Sequence, residues 1–132
     1  MQPDPVDVVT AVYATWNAGE WALERFHPDV EWELTAEGSI DEAGPSRGRD
    51  ALLDYWRRFW DAWKPGARWE IDEIEQIGAD RVVACGRLRA SGRSSGIEMT
   101  TPVFHGWIIR DGIVQRLVVG ADRAAAVRGV SE

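Results

Sequence analysis

Cysteine is almost missing from this chain of 132 residues: Cys85 stands alone, which excludes an internal disulfide and a cysteine-built metal centre. Long apolar runs are missing as well, so no segment reads as a bilayer-spanning helix. The N-terminal MQPDPVDVV lacks the charged-then-apolar pattern of a secretory leader, and no polybasic run marks an anionic membrane surface. Positive charge is in deficit. With 22 acidic and 15 basic side chains the net charge is −7, which would repel a phosphate backbone and argues against a nucleic-acid partner. The two histidines, His27 and His105, are far apart and lack the helical spacing of a metal pair, so no metal is expected. Neither a nucleophilic serine motif nor a glycine-rich phosphate cradle is present, and no cofactor is implied. The expectation is one soluble, cytoplasmic domain.

What the chain does hold is tryptophan, eight in all. Aromatic area on this scale fills a core, lines a pocket or makes an interface. Asp4-Pro5 reads as a helix start, with Asp as cap and Pro at the first helical position. Val9, Val12, Tyr13 and Trp16 then share one helical face, which ends at Asn17-Ala18-Gly19. A second short helix is expected over Glu20 to Phe26, broken by His27-Pro28-Asp29. Val30, Trp32 and Leu34 alternate with Glu31 and Glu33, the pattern of a strand with one buried face. Ala36 to Gly48 reads as a loop long enough to be a flap. A third helix, about Arg49 to Trp63, carries Leu52, Trp56, Phe59, Trp60 and Trp63 in a stripe and stops at Pro65-Gly66. Strands follow over roughly Arg68–Ile77, Arg81–Ala90 and Ile97–Ile109.

The clearest local signal is Thr101 to Ala126, two strands joined at Arg110-Asp111-Gly112. A three-residue loop with glycine last predicts Ile109 opposite Ile113, Trp107 opposite Gln115, His105 opposite Leu117 and Val103 opposite Val119. His105, Val103, Leu117 and Val119 then share a face. Asp122 is placed to cap a helix over Ala124–Val127. Helices first and mostly antiparallel strands after predict an α+β fold, with helices packed on one face of a bent sheet.

This order, together with Trp16-Asn17-Ala18-Gly19-Glu20, Phe26-His27-Pro28-Asp29-Val30-Glu31-Trp32, Arg47-Gly48-Arg49-Asp50-Ala51, Ser95-Gly96-Ile97-Glu98, Arg110-Asp111-Gly112-Ile113-Val114 and Asp122, resembles the SnoaL-like group of the nuclear transport factor 2-like superfamily. The resemblance implies a cone: a curved, mixed, mostly antiparallel sheet wrapped by three N-terminal helices around an apolar pocket. It also implies a homodimer that packs through the open sheet face. The superfamily includes polyketide cyclases, epoxide hydrolases, ketosteroid isomerases, dehydratases and binding domains, so the residues must decide the function.

Carried over position by position, the isomerases' carboxylate base falls on Leu34, their oxyanion tyrosine on Val12 beside Tyr13, and their protonated acid on His105. The cyclases' aspartate of the last strand falls on Val119, while their pocket histidine matches His105. The site expected from this is polar at His105 and Tyr13, the candidate catalytic pair. Val12, Trp16, Trp32, Leu34, Trp56, Trp60, Met99, Val103, Trp107, Leu117 and Val119 are the candidate ligand-binding lining. A small hydrophobic, cyclic molecule suits such walls, and a lone histidine suits acid/base chemistry such as isomerisation, cyclisation or hydration. Non-catalytic ligand binding is the rival reading, and a dimeric interaction module with a vestigial pocket is the third. Arg87 and Arg89 fit either an anion clamp inside the cone or ion pairs on the outer face with Glu70, Asp72 or Glu98.

Overall fold

A computed structural model describes residues 4–34 and 45–131. The first helix, α1, runs Pro5–Asn17; the Asp4 carboxylate accepts from the Val6 N–H at 2.9 Å and closes its first turn. Its buried face is Val8, Val9, Val12, Tyr13 and Trp16. The short helix expected over Glu20 to Phe26 is instead a single 3₁₀ turn, Leu23–Arg25. Ala22 takes a left-handed φ of 60° at its start, which no continuous α-helix can cross. The first strand, β1, therefore begins earlier than expected, Phe26–Leu34, and runs through His27-Pro28-Asp29. Pro28 has no N–H to give the ladder, and the pairing slips between Phe26 and Glu31.

Part of the expected Ala36 to Gly48 loop is strand: β2, Pro45–Arg47, pairs antiparallel with β1. The rest of that expected flap lies outside the described residues, as do the side chains of Leu34 and Phe59. The second α-helix, α2, spans Arg49–Ala62. Four long strands follow: β3 Arg68–Gln76, β4 Arg81–Ser91, β5 Glu98–Arg110 and β6 Ile113–Val119. A last helix, α3, covers Arg123–Gly129, and Asp122 caps it by accepting from Ala125 N–H at 2.8 Å.

The sheet order is β2-β1-β6-β5-β4-β3. All neighbours are antiparallel except β1 and β6, which run parallel and bring the N-terminal strand beside the last one. The fold is α+β with a mixed, mostly antiparallel sheet, as the sequence predicts. One face of the sheet takes α1 and α2 and forms the main core. The other takes α3, which closes a smaller cluster of Ile108, Val118 and Val130.

The β5–β6 hairpin corrects the expected register. Its loop has two residues, not three: Arg110 pairs with Ile113, and Asp111 and Gly112 both have positive φ, 55° and 77°, the geometry of a type I′ turn. Shortening the loop by one residue would invert every later side chain. A bulge restores the original sense: Ile109 pairs with Val114 and Ile108 with Arg116, so Gln115 is an extra residue on β6. The resulting pairs are Trp107 with Leu117 and His105 with Val119. The two one-residue shifts add, so each partner on β6 lies two residues further along than expected while His105 stays on the inner face.

Charge collects on the outer face. Arg87 bonds Glu70 at 2.9 Å and Asp72 at 2.7 Å, and Arg89 bonds Glu70 at 3.3 Å, so these arginines make surface ion pairs and no inward clamp. Asp80 in the β3–β4 turn accepts from Arg110 at 2.8 Å and Arg81 at 3.1 Å, while its carbonyl accepts from Ile109 N–H at 2.7 Å. Arg81 also donates to the Val130 carbonyl. One turn thereby holds the end of β5 and the C-terminal segment. Among the described residues no helix is long and apolar enough to cross a membrane.

Two substitutions test this frame. A Cβ at Gly86 would stand 2.1 Å from the Glu70 carbonyl oxygen and 2.7 Å from Ile71 Cα, both backbone atoms of β3 beside its register shift. Gly86→Ala is expected to cost about 1–3 kcal/mol, read as a lower urea midpoint with unchanged slope. The Arg110 hydrogen bond holds the Asp80 carboxyl below its ordinary value, with Arg81 and Arg110 charges adding to it against desolvation. A lowered folded pKa stabilises above the ordinary value of about 3.9 and loses that contribution as pH falls through the folded value. Asp80→Asn is thus expected to cost up to about 1 kcal/mol at neutral pH, and the gap from wild type to close in denaturation curves taken at progressively lower pH.

Candidate functional site

The inner face of β5 presents Val103, His105 and Trp107 in alternation, all buried. Opposite them α1 presents Val12, Tyr13 and Trp16, a spacing that puts three side chains on one helical face. Strand β6 adds Leu117 and Val119, β1 adds Trp32, and α2 adds Trp56. These ten sequence candidates converge in one buried cluster.

At its centre the Tyr13 hydroxyl lies 2.5 Å from His105 Nδ1. Their rings are near-parallel, 14° apart, with centroids 5.7 Å apart. His105 is 1% exposed and is the one polar side chain other than tyrosine and tryptophan found buried among the described residues; Tyr13 is 5% exposed. Indoles enclose the pair. Trp16 meets Tyr13 edge-on at 5.5 Å, and Trp107 meets Tyr13 at 5.7 Å and His105 at 6.1 Å. Behind them Trp16 packs at a tilt on Trp56 at 4.8 Å and Trp69 at 5.2 Å.

The indole N–H groups divide. Trp16 donates to the Trp21 carbonyl at 3.0 Å, and Trp32 donates to the Gly48 carbonyl at 3.3 Å. Trp107, with no exposed surface at all, finds no acceptor for its N–H among the described residues. A buried donor in that condition costs roughly 1–3 kcal/mol, and native folds keep few of them.

The sheet register lines up the positions at which the resemblance implies chemistry. Leu34 pairs with Val119, and Val119 pairs with His105. These residues form one row across β1, β6 and β5. Of the row's three positions only that on β5 is ionisable. Among the described residues, no three His, Cys, Asp or Glu side chains converge as metal ligands would.

Two candidates fall elsewhere. Met99 is 41% exposed near the start of β5 and lines a surface hollow with Trp63 and Ile97, apart from the buried cluster. Trp60 is half-buried at the cluster's margin, against Trp21 at 5.8 Å and Trp69 at 5.7 Å. Two core aromatics escape the sequence reading. Tyr55 packs on Trp32 at 5.6 Å and Trp56 at 5.4 Å, and Trp69 joins Trp16. Tyr55 could have been found three positions after Leu52 on the same helical face. Trp69 could have been found as the apolar member of the Arg68-Trp69-Glu70 alternation.

Comparison with known proteins agrees with this architecture. TerC, in a structure co-crystallised with polyporic acid, superposes with a TM-score of 0.77 at 24% identity, over 98% of this chain and 100% of that one. A nuclear transport factor 2-like protein from Burkholderia thailandensis gives 0.76 at 22% identity, over 96% of both chains. Another from Anabaena variabilis gives 0.74 at 14% identity, over 90% of this chain and 91% of that one. No curated protein matches significantly. The family model described as the SnoaL-like domain matches residues 9–126. With nearly the whole fold inside that match, the chain belongs to the SnoaL-like domain family.

Proposed function

We propose that the protein is a cofactor-independent acid/base enzyme acting on a small hydrophobic cyclic compound that carries a carbonyl oxygen. The observation that carries this reading is the 2.5 Å contact between the Tyr13 hydroxyl and His105 Nδ1 inside an aromatic enclosure. One proton is shared along that contact, and its position decides what Nε2 can do. When the phenol donates to Nδ1, neutral imidazole carries its hydrogen on Nε2 and can give it up. When Nδ1–H donates to the phenol oxygen, Nε2 has a lone pair and can accept. A single histidine thus serves as acid or base without a second carboxylate.

In an isomerisation, Nε2 removes a proton from the carbon next to the carbonyl. The C–H electron pair moves into the ring and the oxygen gains negative charge. Return of the proton at another carbon completes the reaction with no change of oxidation state. The N–H of Trp107 is the donor available to that oxygen, since it has no acceptor among the described residues. Apolar walls strengthen both hydrogen bonds by excluding water.

A second reading, ligand binding without turnover, is favoured by a specific observation. No carboxylate is buried among the described residues, and Val119 pairs directly with His105 where the resemblance implies an aspartate. One assay separates the two. Exchange of the protons next to the carbonyl of 2-tetralone into D₂O, followed by NMR, reports proton abstraction without requiring the natural substrate. Wild type is expected to accelerate exchange, and His105→Gln to lose about 10²–10⁴-fold of that acceleration. Tyr13→Phe should lower it as well and cost roughly 1–3 kcal/mol of stability through the lost buried hydrogen bond. Saturable tetralone binding with no enzyme-dependent exchange would establish the binding reading in place of the catalytic one.

A further inference from the structure

A cleft opens on the surface, away from the Tyr13–His105 contact. It measures about 360 Å³ and lies between the end of α1, the end of α2 and the β4–β5 hairpin. Trp21, Trp60 and Trp63 form its walls, and Arg93 projects into its rim. Gly19 and Gly66 also line it, both with open space where a Cβ would stand and both at φ values, 87° and 104°, that side chains rarely adopt.

The walls are fixed by backbone contacts. Asn17 clamps the end of α1 to β3: its amide donates to the Trp69 carbonyl at 3.0 Å, and its carbonyl accepts from Trp69 N–H at 2.8 Å. The hairpin is stapled to α2 by Arg93 N–H to Ala62 carbonyl at 3.0 Å and Lys64 N–H to Ser91 carbonyl at 2.8 Å. The Arg93 guanidinium itself donates from Nε to the Asp61 carbonyl at 3.0 Å and from Nη2 to the Trp60 carbonyl at 3.1 Å. It thereby satisfies two orphan carbonyls at the helix end. The Nη1 end of the guanidinium has no partner among the described residues. Trp60 meets Trp69 at 5.7 Å, and Trp69 meets Trp16 at 5.2 Å, so these indoles stand between the cleft and the inner contact.

Charge selects the occupant. The chain carries a net charge of −7, yet among the described residues the cleft lining contains one charged side chain, Arg93, and no carboxylate. Trp63 is buried while Trp21 and Trp60 are half-buried, and indole surface left open in this way takes flat, unsaturated rings. A guanidinium held at two of its nitrogens offers its remaining edge to a carboxylate at little further ordering cost. We propose that this cleft is a binding site for a planar aromatic carboxylate, with its ring against Trp21, Trp60 and Trp63 and its carboxylate on Arg93. The site does not depend on the chemistry assigned to His105.

The test uses the full chain and 2-naphthoate, with naphthalen-2-ylmethanol as the neutral counterpart. Calorimetry reads affinity. The indole N–H signals in NMR, each assigned by a single Trp→Phe change, read location. The expected result is saturable naphthoate binding that shifts the Trp21, Trp60 and Trp63 signals, and weaker binding of the alcohol. Arg93→Gln should weaken naphthoate about tenfold or more and leave the alcohol unchanged, while Arg93→Lys, which keeps the charge, should fall between. If either variant fails to fold because the guanidinium bonds to the Asp61 and Trp60 carbonyls are lost, the carboxylate-to-alcohol ratio on wild type decides. Equal affinity for the two probes, an unaffected Arg93→Gln, or no binding at all would overturn the proposal. Shifts confined to Trp16 and Trp107 would overturn it too, by placing the ligand in the core, and would leave the acid/base reading standing.

Discussion

The parity of the β5–β6 pairing is the constraint on which the interior depends. Side chains along a strand alternate, so a slip of one residue would carry His105 and Trp107 to the face covered by α3. There a Cβ at Gly106 would already stand 2.5 Å from the Ala126 carbonyl oxygen. No larger side chain could take the place of Gly106, and hence the register has one solution that buries both faces. The I′ turn at Asp111-Gly112 and the bulge at Gln115 are two departures from a regular hairpin that together preserve this solution. Because β6 also pairs in parallel with β1, the same register fixes which β1 residues meet the inner face. Trp32 is buried there, whereas Glu31 reaches Arg47 outside at 2.9 Å.

Alternation and helical spacing made most of this legible from residues alone. Val30 and Trp32 against Glu31 and Glu33, and Val12, Tyr13 and Trp16 on one face of α1, each report a local preference that tertiary packing reinforces. The inward direction of His105 was legible for the same reason. Its partner was not, because a three-residue loop and a two-residue loop plus bulge give the same face with a pair shifted by two residues. The bulge has no residue signature of its own at Gln115. Ala22 shows the opposite failure: a good helix former sits at a left-handed φ, and the helix expected there is cut to a single turn. Burial of Phe26 in the core offsets that local cost.

The cleft and the inner contact were hidden for a different reason. Each is built from segments far apart in sequence: Trp21, Trp60 and Trp63 meet Arg93 only after the hairpin is stapled to α2. No spacing rule reaches across 70 residues. Met99 shows the limit of strand parity in the same way. It stands at an even offset from His105, yet is 41% exposed. Parity says which way a side chain points, and only what packs over that stretch says whether the direction is buried.

The packing of the interior bears on chemistry as well as on stability. Aliphatic side chains would fill the same volume without a polar atom to satisfy. Tryptophan adds an N–H with each ring, and each buried N–H needs an acceptor or carries a cost. Trp16 and Trp32 meet that need with backbone carbonyls, which ties α1 to Trp21 and β1 to Gly48. Trp107 finds none among the described residues, and like Trp16 it meets both Tyr13 and His105. Phenylalanine there would remove the unmet donor and leave a cavity in its place. The position of Trp107 beside the one buried histidine is explained if the missing acceptor arrives with a ligand. In a row where Leu34 and Val119 supply no charge, the proposed function has a ligand oxygen complete the hydrogen-bonding of Trp107.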